Sequence, residues 1–206
     1  MTAIRAIILD IGGVLEHTPD LGTEARWEPE FGAGWASRVA AVFRAGELGH
    51  ITLDEVHERS VAALGVPADR FAAYMADAWI EYLGTYNAEI ADYWLARRAE
   101  GYATAIISNS FVGAREREEE AYRFSELTDL IVYSHEVGML KPDPGIYELC
   151  LERLGMAPHE AVFVDDFEPN CAAARALGMS AVFFQDTAQA IRDLDELLAG
   201  NPAPHR

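Results

Sequence analysis

Residues 3–15 read AIRAIILDIGGVL, and the fold turns on how this run is interpreted. From Ile4 to Leu9 it is apolar except for Arg5, the pattern of a parallel strand buried on both faces. It ends on a carboxylate, Asp10, which is costly at such a place unless it is paired or used. Gly12 and Gly13 follow at once, so the chain can turn sharply and bring main-chain groups close to a ligand beside that carboxylate. Taken alone, this is also how an ordinary strand end with an Asp in its turn reads. Later stretches repeat the theme. Ala103 to Ile107 is a second apolar run, ending on Ser108, Asn109 and Ser110. Ala161 to Val164 is another, ending on Asp165 and Asp166. Between them Lys141 precedes a proline-bounded turn.

Helical patterns alternate with these strands, which predicts an α/β fold with a doubly wound, Rossmann-like parallel sheet. In such sheets the ligand crevice lies beyond the carboxyl ends of the strands. Asp10, Ser108 and the Asp165–Asp166 pair are thereby gathered at one edge. The block from residue 16 to 84 lacks strand signals and interrupts the α/β pattern, so it is expected to be an inserted flap and helical cap. The core then comprises residues 1–15 and 85–200. Within the insert, residues 16–29 are read as a loop over Asp10. Helices are expected from Ala33 to Gly46, from a Thr52 cap closed by Glu55, and from Pro67 onward. Trp27, Trp35 and Trp79 are read as core, with a pocket for a sugar or an apolar tail as the alternative. Gly84 to Tyr86 is the return linker. The Glu118–Glu120 run is read as a solvated helix face, and the closing NPAPHR as a frayed tail.

A formal net charge of −18 with a sequence pI near 4.6 argues against nucleic acid or an anionic membrane as partner. A small phosphorylated metabolite remains compatible where positive potential is local. Cys150 and Cys171 have no metal spacing and read as core residues of a reduced, cytoplasmic protein. No apolar run approaches bilayer length, and a monomer or homodimer is expected. Of sixteen cationic residues, Lys141 is the one lysine, which marks a position suited to a compact ammonium rather than a planar fork.

Three carboxylates in one crevice repel one another unless a cation joins them. A hard divalent ion with oxygen ligands answers this, and Mg²⁺ takes one or two carboxylates while keeping waters. With Lys141, the Ser108 hydroxyl and the N–H groups of the Gly12–Gly13 turn, the sum is a phosphate-sized anion site. A carboxylate at its centre points to nucleophilic attack on phosphorus and an aspartyl phosphate.

Four motifs, DIGGV, IISNS, VGMLKPDPGIY and VFVDD, in this order resemble those of the haloacid dehalogenase superfamily of phosphohydrolases, in the branch with a small helical cap after the first motif. The resemblance covers nearly the whole chain. The stretch from Val137 to Thr187 is also similar to the amino-terminal phosphatase domain of soluble epoxide hydrolases. The resemblance implies that Asp10 is nucleophile and metal ligand and that Gly12 offers its carbonyl to Mg²⁺. It implies Asp166 as a direct ligand, with Asp165 coordinating or orienting. Gly13, Ser108, Asn109 and Lys141 would hold the phosphoryl group. One departure stands out. Phosphatases of this superfamily mostly carry a second Asp two residues after the nucleophile, as acid and then base, and this chain has Gly12 there. Glu16, His17 and Asp20 on the flap are the candidate substitutes. The expected activity is Mg²⁺-dependent hydrolysis of a small phosphomonoester, a sugar phosphate or similar metabolite. A weak or inactive phosphate- or partner-binding protein is the alternative, and a dehalogenase the weaker one, because the Asp165–Asp166 pair suits a metal that dehalogenases do not use.

Overall fold

The structure is a computed structural model that describes residues 3–199. The NPAPHR tail lies outside the described residues. The chain opens with β1 (Ala6–Leu9) and a two-residue strand, β2 (Glu16–His17), followed by α1 (Thr23–Phe31), α2 (Trp35–Glu47), α3 (Leu53–Leu64) and α4 (Ala68–Leu83). It returns through β3 (Thr85–Tyr86), α5 (Ala88–Ala99), β4 (Ala103–Ser108), α6 (Ala114–Tyr122), α7 (Phe124–Leu127) and β5 (Leu130–Tyr133). It closes with α8 (Ser134–Val137), α9 (Pro144–Leu154), β6 (Ala161–Asp165), α10 (Glu168–Ala176), β7 (Ser180–Phe183) and α11 (Thr187–Leu198).

Five strands form one parallel sheet in the order β5-β4-β1-β6-β7. The continuous apolar runs follow from burial on both faces. Ile7 and Leu9 face one cluster with Trp94 of α5 and Leu194 of α11. Ala6 and Ile8 face the other with Tyr147 and Cys150 of α9. Both cysteines are buried and free. Because β1 is central, with β4 on one side and β6 on the other, the connections diverge at its carboxyl end and open a crevice there. In register, Leu9 pairs with Ile106 and Val164, so Asp10 leaves the sheet beside the ends of β4 and β6.

The four helices between β2 and β3 bury a separate aromatic cluster. Phe31, Trp35, Phe71 and Tyr74 pack edge-on or tilted around one another, and Phe111 from the loop after β4 joins them. Thr52 and Glu55 cap α3 reciprocally, as the sequence predicts.

Three sequence expectations need correction. Residues 16–29 are not a continuous loop, since α1 starts at Thr23 and buries Thr23, Trp27 and Phe31 on one face. Pro29 and the flanking glycines read as breakers, but this face packs on α4 and holds the helix together. The linker at Gly84–Tyr86 is also structured, because Thr85 and Tyr86 pair antiparallel with His17 and Glu16. The chain thus leaves and re-enters the sheet domain through one short ribbon. The third correction, Glu118, concerns the site.

Candidate active site

Lys141 is the centre of the site. Its ammonium is 2.7 Å from Asp10 Oδ1 and 2.7 Å from Asp165 Oδ2, with all three groups buried. Burial opposes the charge on Lys141, but the two carboxylates outweigh it and raise its pKa above the ordinary lysine value. The side chain is therefore a fixed cation, and its ammonium lies 5.4 Å from the centre of the Phe163 ring. Asn109 sets its position. The Asn109 amide donates to the Lys141 carbonyl at 2.9 Å and accepts from the Lys141 N–H at 2.7 Å. Asn109, read from sequence as a phosphate contact, thus has both ends of its side chain committed to the lysine main chain. Ser108 is buried at the end of β4, one residue before it.

The adjacent acids have different surroundings. Asp165 is fully buried and accepts from Lys141, from the Asn170 amide at 3.0 Å and from the Phe167 N–H at 2.8 Å. Asp166 is exposed to the crevice. Partial burial raises its pKa, with Asp165 adding and Lys141 opposing. One oxygen from each of Asp10, Asp165 and Asp166 lies within 4.8 Å of the others. Gly13 makes this approach possible. At its φ of 73°, a Cβ would stand 2.0 Å from Asp166 Oδ2, so no side chain fits. Asp10 Oδ1 also accepts from the Ile11 N–H at 2.8 Å, which fixes the carboxylate at the start of the turn.

The three candidate substitutes for the missing acid separate clearly. His17 is exposed on the ribbon, and Asp20 is exposed and caps the turn at Gly22 with a 3.0 Å bond. Glu16 points inward and is 2% exposed. Its Oε1 lies 3.5 Å from where a Cβ on residue 12 would begin, and it accepts from the Thr18 hydroxyl. Its Oε2 is buried without a hydrogen-bond partner among the described residues. Burial pushes the Glu16 pKa up to about 7, against the bonds from Thr18 and the Gly13 main chain. Gly84 is needed beside it, because a Cβ there would meet Glu16 Oε2 at 1.9 Å.

Sequence reasoning missed a second buried acid. Glu118, expected on a solvated face, is 1% exposed and accepts from the Tyr82 hydroxyl at 2.9 Å and from the Tyr133 hydroxyl. Ala114, Glu118 and Tyr122 recur at helical spacing along α6, and that spacing was the signal available; the neighbouring Glu119 and Glu120 concealed it. Burial lifts Glu118 to about 7 against the two tyrosine bonds. Since Tyr82 belongs to α4 and Tyr133 to β5, Glu118 joins the insert to the sheet domain. A stability effect follows. Between about pH 4.5 and 7 the native state keeps a proton on Glu118 that the unfolded chain has released, so stability falls as pH rises through that window and levels off above it. The contribution is at most roughly 3 kcal/mol. Urea midpoints of Glu118→Gln, locked neutral, should decline less from pH 5 to pH 8 than those of the wild type. Parallel declines would contradict this reading.

Among known proteins, the family description haloacid dehalogenase-like hydrolase matches residues 4–178. Bifunctional epoxide hydrolase 2 of Rattus norvegicus is 37% identical over 106 residues, which is 50% of this chain and 19% of that protein. This chain thus corresponds to a small part of that relative. Sesquiterpene phosphatase astK of Aspergillus oryzae is 27% identical over 200 residues, covering 96% of this chain and 98% of that one. Among solved structures, a HAD family enzyme from Bacteroides thetaiotaomicron, determined as a magnesium complex, superposes with a TM-score of 0.79 at 24% identity, over 93% of this chain and 100% of that chain. At that identity the likeness speaks for the fold alone.

Proposed function

Since the chain belongs to the haloacid dehalogenase-like hydrolase family, we propose that it hydrolyses a small phosphomonoester through an aspartyl phosphate on Asp10. The observation that carries this reading is the Lys141 ammonium, 2.7 Å from Asp10 and from Asp165. A buried cation touching a carboxylate at a glycine turn is arranged to receive a phosphoryl oxygen beside a nucleophile. Asp10 Oδ1 is held by Lys141 and the Ile11 N–H, leaving Oδ2 for attack on phosphorus.

The donor set fits a hard divalent cation. Three carboxylates and one ammonium leave two formal negative charges among oxygen ligands within 4.8 Å. Asp10, the Gly12 carbonyl and Asp166 would hold Mg²⁺, and Asp165 would orient Lys141. When bound, Mg²⁺ supplies charge neutralisation of the phosphoryl oxygens. The chain's own groups do the rest. Asp10 attacks phosphorus as the bond to the alcohol oxygen breaks, while Ser108 and Lys141 hold the phosphoryl oxygens. The departing oxygen takes a proton from Glu16. Water then attacks the phosphoryl-Asp10 bond, gives its proton to the Glu16 carboxylate, and inorganic phosphate leaves with Asp10 restored. Burial favours the protonated form of Glu16 that the first step requires. The insert acts as a cap that excludes water from this chemistry.

Phosphate release from p-nitrophenyl phosphate tests the reading directly. Turnover should require Mg²⁺, disappear on chelation with EDTA and return when Mg²⁺ is restored. Saturable phosphate binding with no turnover under any of these conditions would instead support the non-catalytic binding protein.

A further inference from the structure

We infer that the alcohol part of the substrate is an alkyl or aryl chain rather than a sugar, and that it occupies the cavity between the insert and the sheet edge. This rests on the phosphatase reading and names the substrate class of that same site. The cavity measures ≈ 290 Å³, near the lower bound for small-ligand sites. Phe43, Met75, Ala78 and Trp79 line it from the insert, with Phe111 and Leu140 from the sheet domain. It adjoins the phosphoryl site through the chain itself. Asn109 and Ser110 in its wall directly follow Ser108, and Leu140 directly precedes Lys141. An ester held at Asp10 therefore has this space beside it.

The polar groups in the wall argue against hydroxylated substrates, because those nearest the phosphoryl site, Asn109, Ser110 and Tyr82, already have partners. The Asn109 side chain is bound at both ends by the Lys141 main chain. Ser110 Oγ lies 2.6 Å from His135 Nδ1, and the Ser110 N–H donates to Ser134 at 2.9 Å. The Tyr82 hydroxyl donates to Glu118 at 2.9 Å. Arg44 and Glu47 pair with each other at 3.3 Å, leaving no net charge to attract a second anionic group. A sugar entering here would give up water and meet new partners only at the exposed Arg44–Glu47 rim. An apolar chain loses nothing polar and buries its surface against rings. Of the three tryptophans singled out in the sequence, Trp27 and Trp35 are buried in the insert's own cluster. Trp79 alone lines the cavity, held edge-on by Tyr82 at 5.2 Å and covered by the Arg117 guanidinium at 4.1 Å.

The test compares kcat/KM for n-butyl, n-hexyl and n-octyl phosphate with glucose 6-phosphate and glycerol 3-phosphate, alongside calorimetric binding of the corresponding non-hydrolysable alkyl phosphonates. Each methylene should raise kcat/KM about fourfold until the cavity is filled, and octyl phosphate should exceed both sugar-type esters by roughly a hundredfold or more. Ala78→Phe should move the chain-length optimum shorter and Trp79→Ala should move it longer. A general loss of folding would lower every substrate alike and could not produce opposite shifts. Turnover that is flat with chain length, or equal on glucose 6-phosphate, overturns the inference while leaving the phosphatase reading intact. Chain-length-dependent binding of the phosphonates with no hydrolysis of any ester does the reverse.

Discussion

Asp10→Asn should lower turnover of p-nitrophenyl phosphate by on the order of 10⁴-fold or more, since it removes the atom that forms the covalent bond. The substitution keeps the shape of the side chain. The amide oxygen can still accept from Ile11 N–H and from Lys141, and Lys141 retains Asp165 at 2.7 Å. The variant should therefore fold and still bind phosphate, with KM changed far less than kcat. A fall in kcat with phosphate binding preserved separates lost chemistry from lost structure. Wild-type turnover in the variant would mean that Asp10 is not the nucleophile.

Glu16→Gln should have the second largest effect, about 10²–10⁴-fold in steady-state turnover, the usual worth of general acid–base assistance. The loss should not be uniform across the reaction. p-Nitrophenolate leaves without needing a proton, so the first turnover should remain fast in the variant, while attack of water on the intermediate loses its base. The expected trace is a stoichiometric burst of p-nitrophenolate followed by slow release. Alkyl esters, whose oxygen leaves poorly without a proton, should lose the first step as well. Equal losses on both ester types without a burst would assign Glu16 a structural role beside Gly12 and Gly84.

The parts of this account visible in the sequence are those where one physical demand leaves an unbroken trace. A strand covered on both faces must be apolar throughout, and so β1, β4 and β6 announce themselves together with the polar residues that end them. Other features depend on pairing that no local pattern encodes. Glu16, His17 and Asp20 are equally polar in the chain. Only the register of the ribbon, Glu16 against Tyr86 and His17 against Thr85, turns the first inward and the second to solvent. A two-residue strand carries no period from which to read this. α1 was hidden because Gly22, Pro29 and Gly32 are local breakers, whereas Trp27 and Phe31 are held by packing with α4. Glu118 was hidden for the opposite reason. A carboxylate in a charged run reads as solvated, and its burial depends on two tyrosine hydroxyls from segments distant in sequence. Asn109 belongs to the motif that the sequence singled out, but its grip on the Lys141 main chain appears only once β4 and the lysine loop lie side by side.

The central claim is that phosphorus becomes bonded to Asp10. Rapid acid quench of the protein during turnover of p-nitrophenyl phosphate with Mg²⁺, followed by peptide mass spectrometry, tests it most directly, and Glu16→Gln should accumulate the adduct where the wild type clears it. The account predicts one phosphoryl group per chain, confined to Asp10 and absent from Asp10→Asn. Product formation with Asp10 unmodified in Glu16→Gln, or the adduct on another residue, would contradict it.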